Sequence, residues 1–126
     1  MTNKPFFLLS TLLMACTTGE NYPTKYSTSL CETMYACIDN DTIETFMNYD
    51  DVDECKSDQE SEFRSTTTYD SYEEGDLIFN KEAAESCLAE INEVQTDSDC
   101  DGEMDVFSFL ADMSSEDCAE VYQESE

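Results

Sequence analysis

The sequence predicts a small all-α domain whose short helices are held together by disulfide bonds. Three observations lead to this fold class. Apolar residues recur at helical spacing in several segments, and most of these segments open with a capping residue. Seven cysteines lie within 126 residues. The chain also shows no internal repeat and no alternation of strands with helices, which favours a bundle of four or five short helices.

The first 16 residues have the pattern of an export sequence. Lys4 precedes an apolar run from residue 5 to residue 15, and Cys16 follows this run directly. A helix that spans a bilayer needs roughly 20 apolar residues, which is more than this run supplies. A charged start followed by a short apolar stretch is typical of a signal peptide. We therefore expect residues 1–15 to be a signal peptide.

The residues that end this run, Leu13, Met14, Ala15 and Cys16, resemble the lipobox of bacterial lipoproteins. The resemblance implies that Cys16 is lipidated, becomes the new N-terminus and anchors the protein to a membrane outside the cytoplasm. Thr17 follows in place of aspartate, which by the same resemblance favours the outer membrane or cell surface over the inner membrane. Each buried methylene of an acyl chain contributes about 0.8 kcal/mol, so more than one chain anchors stably. An ordinary cleaved signal with an incidental Cys16 is the alternative.

The remaining cysteines form an even set, which favours disulfides in an oxidising compartment. They are Cys31, Cys37, Cys55, Cys87, Cys100 and Cys118. Six cysteines permit many pairings, so the connectivity is not readable from the sequence. Cys37 and Cys55 are as far apart in the sequence as Cys100 and Cys118, which gives one guess at the pairing. In this guess each of these two pairs forms a disulfide, and Cys31 pairs with Cys87. A thiolate metal site is disfavoured because the chain has no histidine and no CxxC pair.

Acidic residues dominate the charge of the chain. The formal net charge is −26, with 31 acidic residues against 5 basic ones. Removal of Lys4 with the signal peptide makes the rest one unit more negative. Phosphate backbones would repel such a protein, which excludes nucleic-acid binding, and anionic lipid headgroups would repel it too. Self-repulsion destabilises a compact state, and each disulfide offsets it by roughly 3 kcal/mol. A basic protein partner fits this charge.

The pattern along the chain predicts the elements in order. Residues 16–28 are polar with one glycine and one proline, and predict a flexible tether to a domain at residues 29–126. The first helix is predicted to begin at Ser29, which forms a capping box with Glu32. A second box, Asp41 with Glu44, opens the next helix. Residues 50–64 carry a sparse apolar stripe that predicts a helix, and residues 65–75 are predicted to form a loop with a short strand.

The C-terminal half contains the clearest helix. Asn80 is a capping residue, and an apolar face follows it. This face consists of Ala83, Ala84, Cys87, Leu88, Ile91 and Val94. Met104, Phe107, Leu110 and Ala111 predict a further helix. A last helix is predicted from Ser114, with Cys118, Val121 and Tyr122 inward.

Three short motifs give a second resemblance. They are the paired cysteines of the first helix, the segment FNKEAAESCLAEI and a late CAEVY. This arrangement is similar to small cysteine-patterned secreted proteins and lipoproteins of unknown function in predatory and social soil bacteria. The resemblance implies a fold and a compartment, and no activity.

An aspartate-rich stretch predicts a weak calcium loop. An EF-hand places oxygen ligands at alternate positions with glycine at the sixth. Counted from Asp97, the sequence supplies Asp97, Asp99, Asp101, the carbonyl of Glu103, and Asp105, with Gly102 at the sixth position. Ser108 stands where the bidentate glutamate belongs, so binding is expected only near 10⁻⁴ to 10⁻³ M. A solvated acidic turn at a disulfide corner is the alternative.

The composition gives no support to catalysis. A chain without histidine lacks the usual general base and the usual hydrolase triads, and no pair of carboxylates stands out as acid and base. The seven tyrosines either form a recognition surface or pack on the core with their hydroxyls outward. We expect a non-enzymatic structural or interaction module without a cofactor. The alternatives are an acidic inhibitor or sequestering protein for a basic extracytoplasmic partner, and the weak calcium module.

Overall fold

A computed structural model describes residues 16–97, 100–113 and 116–124. The described residues form a mostly helical fold with three disulfides, which confirms the predicted fold class. The elements are α1 Tyr22–Cys37, α2 Asn40–Met47, α3 Val52–Arg64, α4 Thr67–Glu73, β1 Leu77–Phe79, α5 Lys81–Thr96, α6 Val106–Asp112, α7 Glu116–Ala119 and β2 Tyr122–Glu124. The predicted signal peptide, Asp99 and the predicted start of the last helix at Ser114 lie outside the described residues.

Helix α1 begins earlier than predicted. It starts at Tyr22 with Pro23 in its first turn, so Ser29 lies inside the helix and caps nothing. Thr17, Tyr22 and Ser27 are buried, so the predicted flexible tether over residues 16–28 is wrong from Thr17 onward. The cause is tertiary packing, because the ring of Tyr22 lies 5.7 Å from that of Phe63 on α3.

Local capping explains the starts of α2 and α3. The Asp39 side chain accepts a hydrogen bond from the Thr42 amide, so α2 begins close to the predicted box. The Asp51 side chain accepts from the Glu54 amide in the same way at the start of α3. The predicted helix over residues 50–64 is therefore confirmed, within two residues of its expected start.

The predicted loop over residues 65–75 is instead mostly helix α4. Thr66 caps this helix through its Oγ1, which accepts from the Tyr69 amide at 3.2 Å. Tyr69 is 2% exposed and packs edge-on against Phe63. Tyr69 and Tyr72 both pack on Tyr122, so ring contacts dock this helix of two turns although the sequence has no helical apolar repeat here.

Two short strands were not predicted. β1 and β2 pair antiparallel, with Leu77 opposite Glu124 and Phe79 opposite Tyr122. Tyr122 was expected to face inward from a last helix, and it is buried, but from a strand. Helix α7 is correspondingly short, ending at Ala119.

Helix α5 has the predicted cap and the predicted buried face. The Asn80 side chain accepts from the Ala83 amide, and five residues of the apolar face are buried. With α1 it is the longest helix, at 16 residues. Across the described part of the chain, no helix is long and apolar enough to cross a membrane.

All six cysteines after Cys16 are paired, as predicted, but the guessed connectivity is wrong. The bonds are Cys31–Cys55, Cys37–Cys100 and Cys87–Cys118. The first joins α1 to α3, the second joins the end of α1 to the segment before α6, and the third joins α5 to α7. Equal spacing carried no information, because pairing follows which helices pack together.

Two groups of buried residues form the core. The first lies around the C-terminal half of α1 and includes Met34, Ile43 and Phe109. The second lies around the start of α1 and includes Tyr22, Tyr69 and a face of α5. Helix α1 runs through both groups, so its two ends mark two poles of the domain.

Candidate functional site: an apolar cleft with an acidic rim

Large apolar side chains are exposed together at one pole of the domain. Phe46 on α2 is 61% exposed and Phe107 on α6 is 75% exposed. Both line a cavity of about 220 Å³, which we call the apolar cleft. The cleft is lined by Asp39, Thr42, Phe46, Glu103, Met104, Asp105, Val106 and Phe107. Exposed aromatic rings around a concave surface are typical of an interaction site.

Helix α2 holds Phe46 at the mouth of the cleft. Asp39 fixes the first turn through its bond from the Thr42 amide, and Ile43 is 1% exposed in the core. The helix ends at Met47, and Asn48 after it adopts the left-handed conformation with φ 65°. Ile43 and Met47 attach this short helix to the core, whereas Phe46 in its last turn is exposed.

Helix α6 is fixed in the same manner on the other side of the cleft. The Asp105 side chain accepts from the Ser108 amide at 3.0 Å and from the Ser108 hydroxyl at 2.8 Å. Phe109 is 1% exposed and ties the helix to the first core group. Phe107 lies two residues away, on a different side of the helix from Phe109. Leu110, three residues after Phe107, extends the exposed apolar surface at 52% exposure.

The floor of the cleft is tied to the end of α1. Met104 is 9% exposed, and its amide donates to the carbonyl of Cys37 at 3.0 Å. The disulfide between Cys37 and Cys100 crosslinks the same two segments. Because a hydrogen bond and a covalent bond hold this floor, the cleft is formed before any partner arrives.

Carboxylates form the rim. Asp39, Glu103 and Asp105 line the cleft, and no lysine or arginine among the described residues does so. Hydrogen bonds from the backbone and side chain of Ser108 lower the pKa of Asp105, so this carboxylate is charged at neutral pH. The arrangement can take an apolar side chain into the cleft while lysine or arginine neighbours contact the rim.

The domain also has larger hollows, and each has carboxylates in its wall. One of about 520 Å³ lies between α5 and α7 and is lined mainly by acidic residues such as Glu90 and Glu93. Another of about 540 Å³ lies beside Tyr35, whose pKa is raised by burial and by nearby carboxylates such as Asp51. Neither hollow is lined by Phe46, Phe107 or Leu110, the exposed apolar residues at the cleft.

The described residues of the predicted calcium loop line two different hollows. Asp101, Glu103 and Asp105 line one hollow of about 440 Å³, whereas Asp97 lines the hollow beside α5. The Asp101 carboxylate accepts from the Glu103 amide, and Asp105 caps α6. Asp99 lies outside the described residues. Among the described residues no three acidic or cysteine side chains are grouped as metal ligands. Weak calcium binding stays a prediction.

Cys16 is exposed and is the free cysteine of the described residues. Its carbonyl accepts hydrogen bonds from the Lys25 ammonium at 2.6 Å and from the Asn21 amide group at 3.2 Å. The predicted lipidation residue therefore lies beside the first turn of α1, at the pole opposite the cleft.

Sequence reasoning missed the cleft because it used Phe107 and Leu110 only as part of the pattern that predicts α6. The composition of this helix does indicate that some of its apolar residues are exposed. Most residues of the segment VFSFLAD are apolar, which is more than one side of a seven-residue helix can bury. Part of that apolar surface had to face outward, and the buried position of Phe109 decides which part.

No protein-family model, curated protein or solved structure gives a significant match to this chain. The cleft is therefore interpreted from its own geometry.

Proposed function

We propose that this chain is a non-enzymatic, lipid-anchored protein of the cell envelope whose helical domain is an interaction module. The lipobox-like residues before Cys16 support the anchor, and by their resemblance they favour the outer membrane or cell surface. The three disulfides agree with an oxidising compartment. The absence of histidine from the sequence supports a role without catalysis.

The apolar cleft is the observation that carries the proposal. Leaving Phe46 and Phe107 exposed forgoes the burial energy of two aromatic rings, which is about 25 cal/mol per Å². The helices that carry both rings are fixed by caps and by the buried residues Ile43 and Phe109, so the exposure of the rings does not come from an unattached segment. A partner that covers both rings would recover that energy, as aromatic residues do at the centres of protein interfaces.

The acidic rim and the net charge define the partner. A protein segment with one large apolar side chain between lysines or arginines would place the apolar group in the cleft and the cations on the rim carboxylates. The formal charge of −26 would also speed the encounter with a basic protein at low salt. Acidic partners and nucleic acids would be repelled.

Inhibition or sequestration is the second candidate function, and the same charge favours it. A cationic extracytoplasmic hydrolase or peptide that docks at the cleft would be neutralised by an acidic domain. The structural module and the inhibitor share this docking surface. They differ in whether the activity of the bound partner falls in proportion to occupancy.

The test is a titration with two defined peptides of equal positive charge. One is an amphipathic helix-forming peptide with lysines and a single apolar face, and the other replaces the apolar residues by serine. We expect the amphipathic peptide to bind at moderate ionic strength, and to shift the NMR signals of α2 and α6. The serine peptide should bind only at low salt, without localised shifts.

Matched variants locate the binding. Phe107→Ala should weaken binding of the amphipathic peptide. Ile78→Ala should leave this binding unchanged, although Ile78 is also an exposed apolar residue, at 45%. Glu103→Lys on the rim should weaken binding more than Glu82→Lys on α5, although both change the net charge equally. Equal effects within either pair would reduce the interaction to non-specific charge attraction and would refute the proposed site.

A further inference from the structure

The residues directly after Cys16 are held against the domain. Thr17 is 6% exposed, and its hydroxyl accepts a hydrogen bond from the Lys25 ammonium at 3.1 Å. Thr18 and Asn21 exchange hydrogen bonds, since each backbone amide donates to the other side chain, at 2.8 and 3.1 Å. This reciprocal pattern fixes the turn that leads into α1, in the manner of a capping box.

Long-range bonds hold the same segment to α3, α4 and β2. The Tyr122 hydroxyl donates to the Gly19 carbonyl at 2.7 Å, and the Tyr72 hydroxyl donates to the Glu20 carboxylate at 2.8 Å. The Arg64 guanidinium donates to the Glu20 carbonyl at 3.0 Å. These three donors come from three different elements, so the segment is part of the folded domain.

Gly19 is required by the closeness of this packing. The residue is buried, and a Cβ atom there would overlap the hydroxyl and ring carbons of Tyr72. The Tyr72 ring packs on Tyr122 with ring centroids 5.0 Å apart, so a shift of this ring would break that contact. A side chain at this position would therefore displace the Tyr72 ring or the segment itself, and in either case disturb the docking.

The cleft lies at the other end of α1. Cys16 contacts Asn21 and Lys25 at the start of this helix, and the cleft floor contacts Cys37 at its end. The helix has 16 residues, which corresponds to roughly 24 Å at 1.5 Å per residue. The predicted lipidation residue and the cleft are therefore at opposite poles of the domain.

We infer that the lipidated protein has no slack tether, and that it presents the apolar cleft on the side of the domain facing away from the bilayer. This inference rests on the proposed lipidation of Cys16. The partner then approaches from the aqueous compartment, and a segment embedded in the same membrane would not reach the cleft. Cys16 is then the only residue between the lipid and the folded domain, because Thr17 is packed against the domain.

Energy transfer to labelled lipids tests the orientation. The natural acylated protein would be inserted into neutral phosphatidylcholine vesicles whose headgroups carry an acceptor dye. A donor dye on a bioorthogonal residue replaces either Glu73, next to Tyr72, or Leu110, next to the cleft. We expect higher transfer from position 73 than from position 110. Equal transfer, or the reverse order, would overturn the inference.

A substitution at Gly19 tests the cause of the orientation. Gly19→Val should detach the segment and remove the difference between the two donor positions. Ala89→Val adds the same side chain at an exposed site on α5 and should keep the difference. An unchanged difference in Gly19→Val would overturn the role of the docked segment.

Vesicle flotation separates this inference from the proposed anchor. If the protein purified from its native membrane does not float with vesicles, the proposed lipidation of Cys16 is wrong, and so is the inferred orientation. If the protein floats but both donors report the same transfer, the anchor stands and only the orientation is wrong.

Discussion

Truncation of Phe107 and of Phe109 should have opposite effects on the stability of the domain, although the two residues lie on the same short helix, α6. Phe107 is 75% exposed at the cleft, and Phe109 is 1% exposed in the first core group. The periodicity that predicts this helix includes Phe107 and not Phe109. Alanine substitution at each position therefore tests which side of the helix is buried.

The magnitudes follow from burial. Truncating a buried phenylalanine to alanine removes its transfer energy and leaves a cavity, and costs about 3 to 5 kcal/mol. We expect this loss in the free energy of unfolding for Phe109→Ala. Phe107→Ala removes a ring that is already in water, so its effect should stay within about 0.5 kcal/mol. The better helix propensity of alanine makes a small gain the expected sign.

The assay is urea unfolding of both variants with the disulfides intact, followed by circular dichroism. Peptide titration of Phe107→Ala supplies the second measurement, since this variant should lose affinity for the amphipathic peptide while keeping its stability. A loss of more than about 1.5 kcal/mol for Phe107→Ala would show that the ring belongs to the core. The orientation of α6 and the cleft would then both be refuted.

Two further predictions concern the crosslinks and the tyrosines. Removing Cys37–Cys100 or Cys87–Cys118 by paired alanine substitution should each cost about 4 kcal/mol, given sequence separations of 63 and 31. Only the first pair supports the cleft, so peptide binding should weaken in that variant alone; equal weakening in both would contradict the assignment. Burial raises the pKa of Tyr49 and of Tyr72 to about 12, against about 10 in an unfolded chain. Because the folded state holds these protons more tightly, stability should be complete below about pH 10 and fall as the pH rises towards 12. Urea unfolding at several alkaline pH values, with tyrosinate absorbance, checks this, and constant stability across that window would contradict it.

The elements that the sequence predicted well are those fixed by neighbouring residues. Helix α5 is set by Asn80, whose side chain bonds an amide three residues later, and by an apolar face within one helix. Helix α3 is set by Asp51 in the same way. Such interactions span one or two turns, so they are visible in a short window of sequence.

The elements that the sequence missed depend on contacts between distant residues. Tyr22 is helical because it packs on Phe63 and Tyr122, with ring centroids 5.7 and 6.0 Å away. Pairing of β1 with β2 needs the same second core group to bring the two segments together. The disulfide connectivity follows from helix packing too, so no rule of spacing could give it.

The cleft was missed for a related reason. Its two sides, α2 and α6, are far apart in sequence and are brought together by long-range contacts, among them the bond from the Met104 amide to the end of α1 and the Cys37–Cys100 disulfide. The rim residue Asp105 was predicted as a calcium ligand, and in the structure it caps α6 beside the cleft. Capping of α6 by Asp105 is a local interaction that the sequence could have shown. The position of Asp105 on the rim of the cleft depends on distant residues, and the sequence could not show it.

The carboxylates that would select a basic partner also destabilise the free domain. Surface ion pairs such as Lys56–Glu32 and Lys81–Glu85 relieve little of the repulsion, because exposed pairs contribute at most about 1 kcal/mol each. The disulfides and buried rings must offset the rest. A bound cationic partner would remove part of this repulsion, so it should stabilise the domain through linkage as well as through contacts. Added salt would then act in opposite directions, stabilising the free domain while weakening the complex. An apolar cleft is useful in this setting, because the burial of Phe46 and Phe107 is not screened by salt and would keep the partner bound where charge alone would release it.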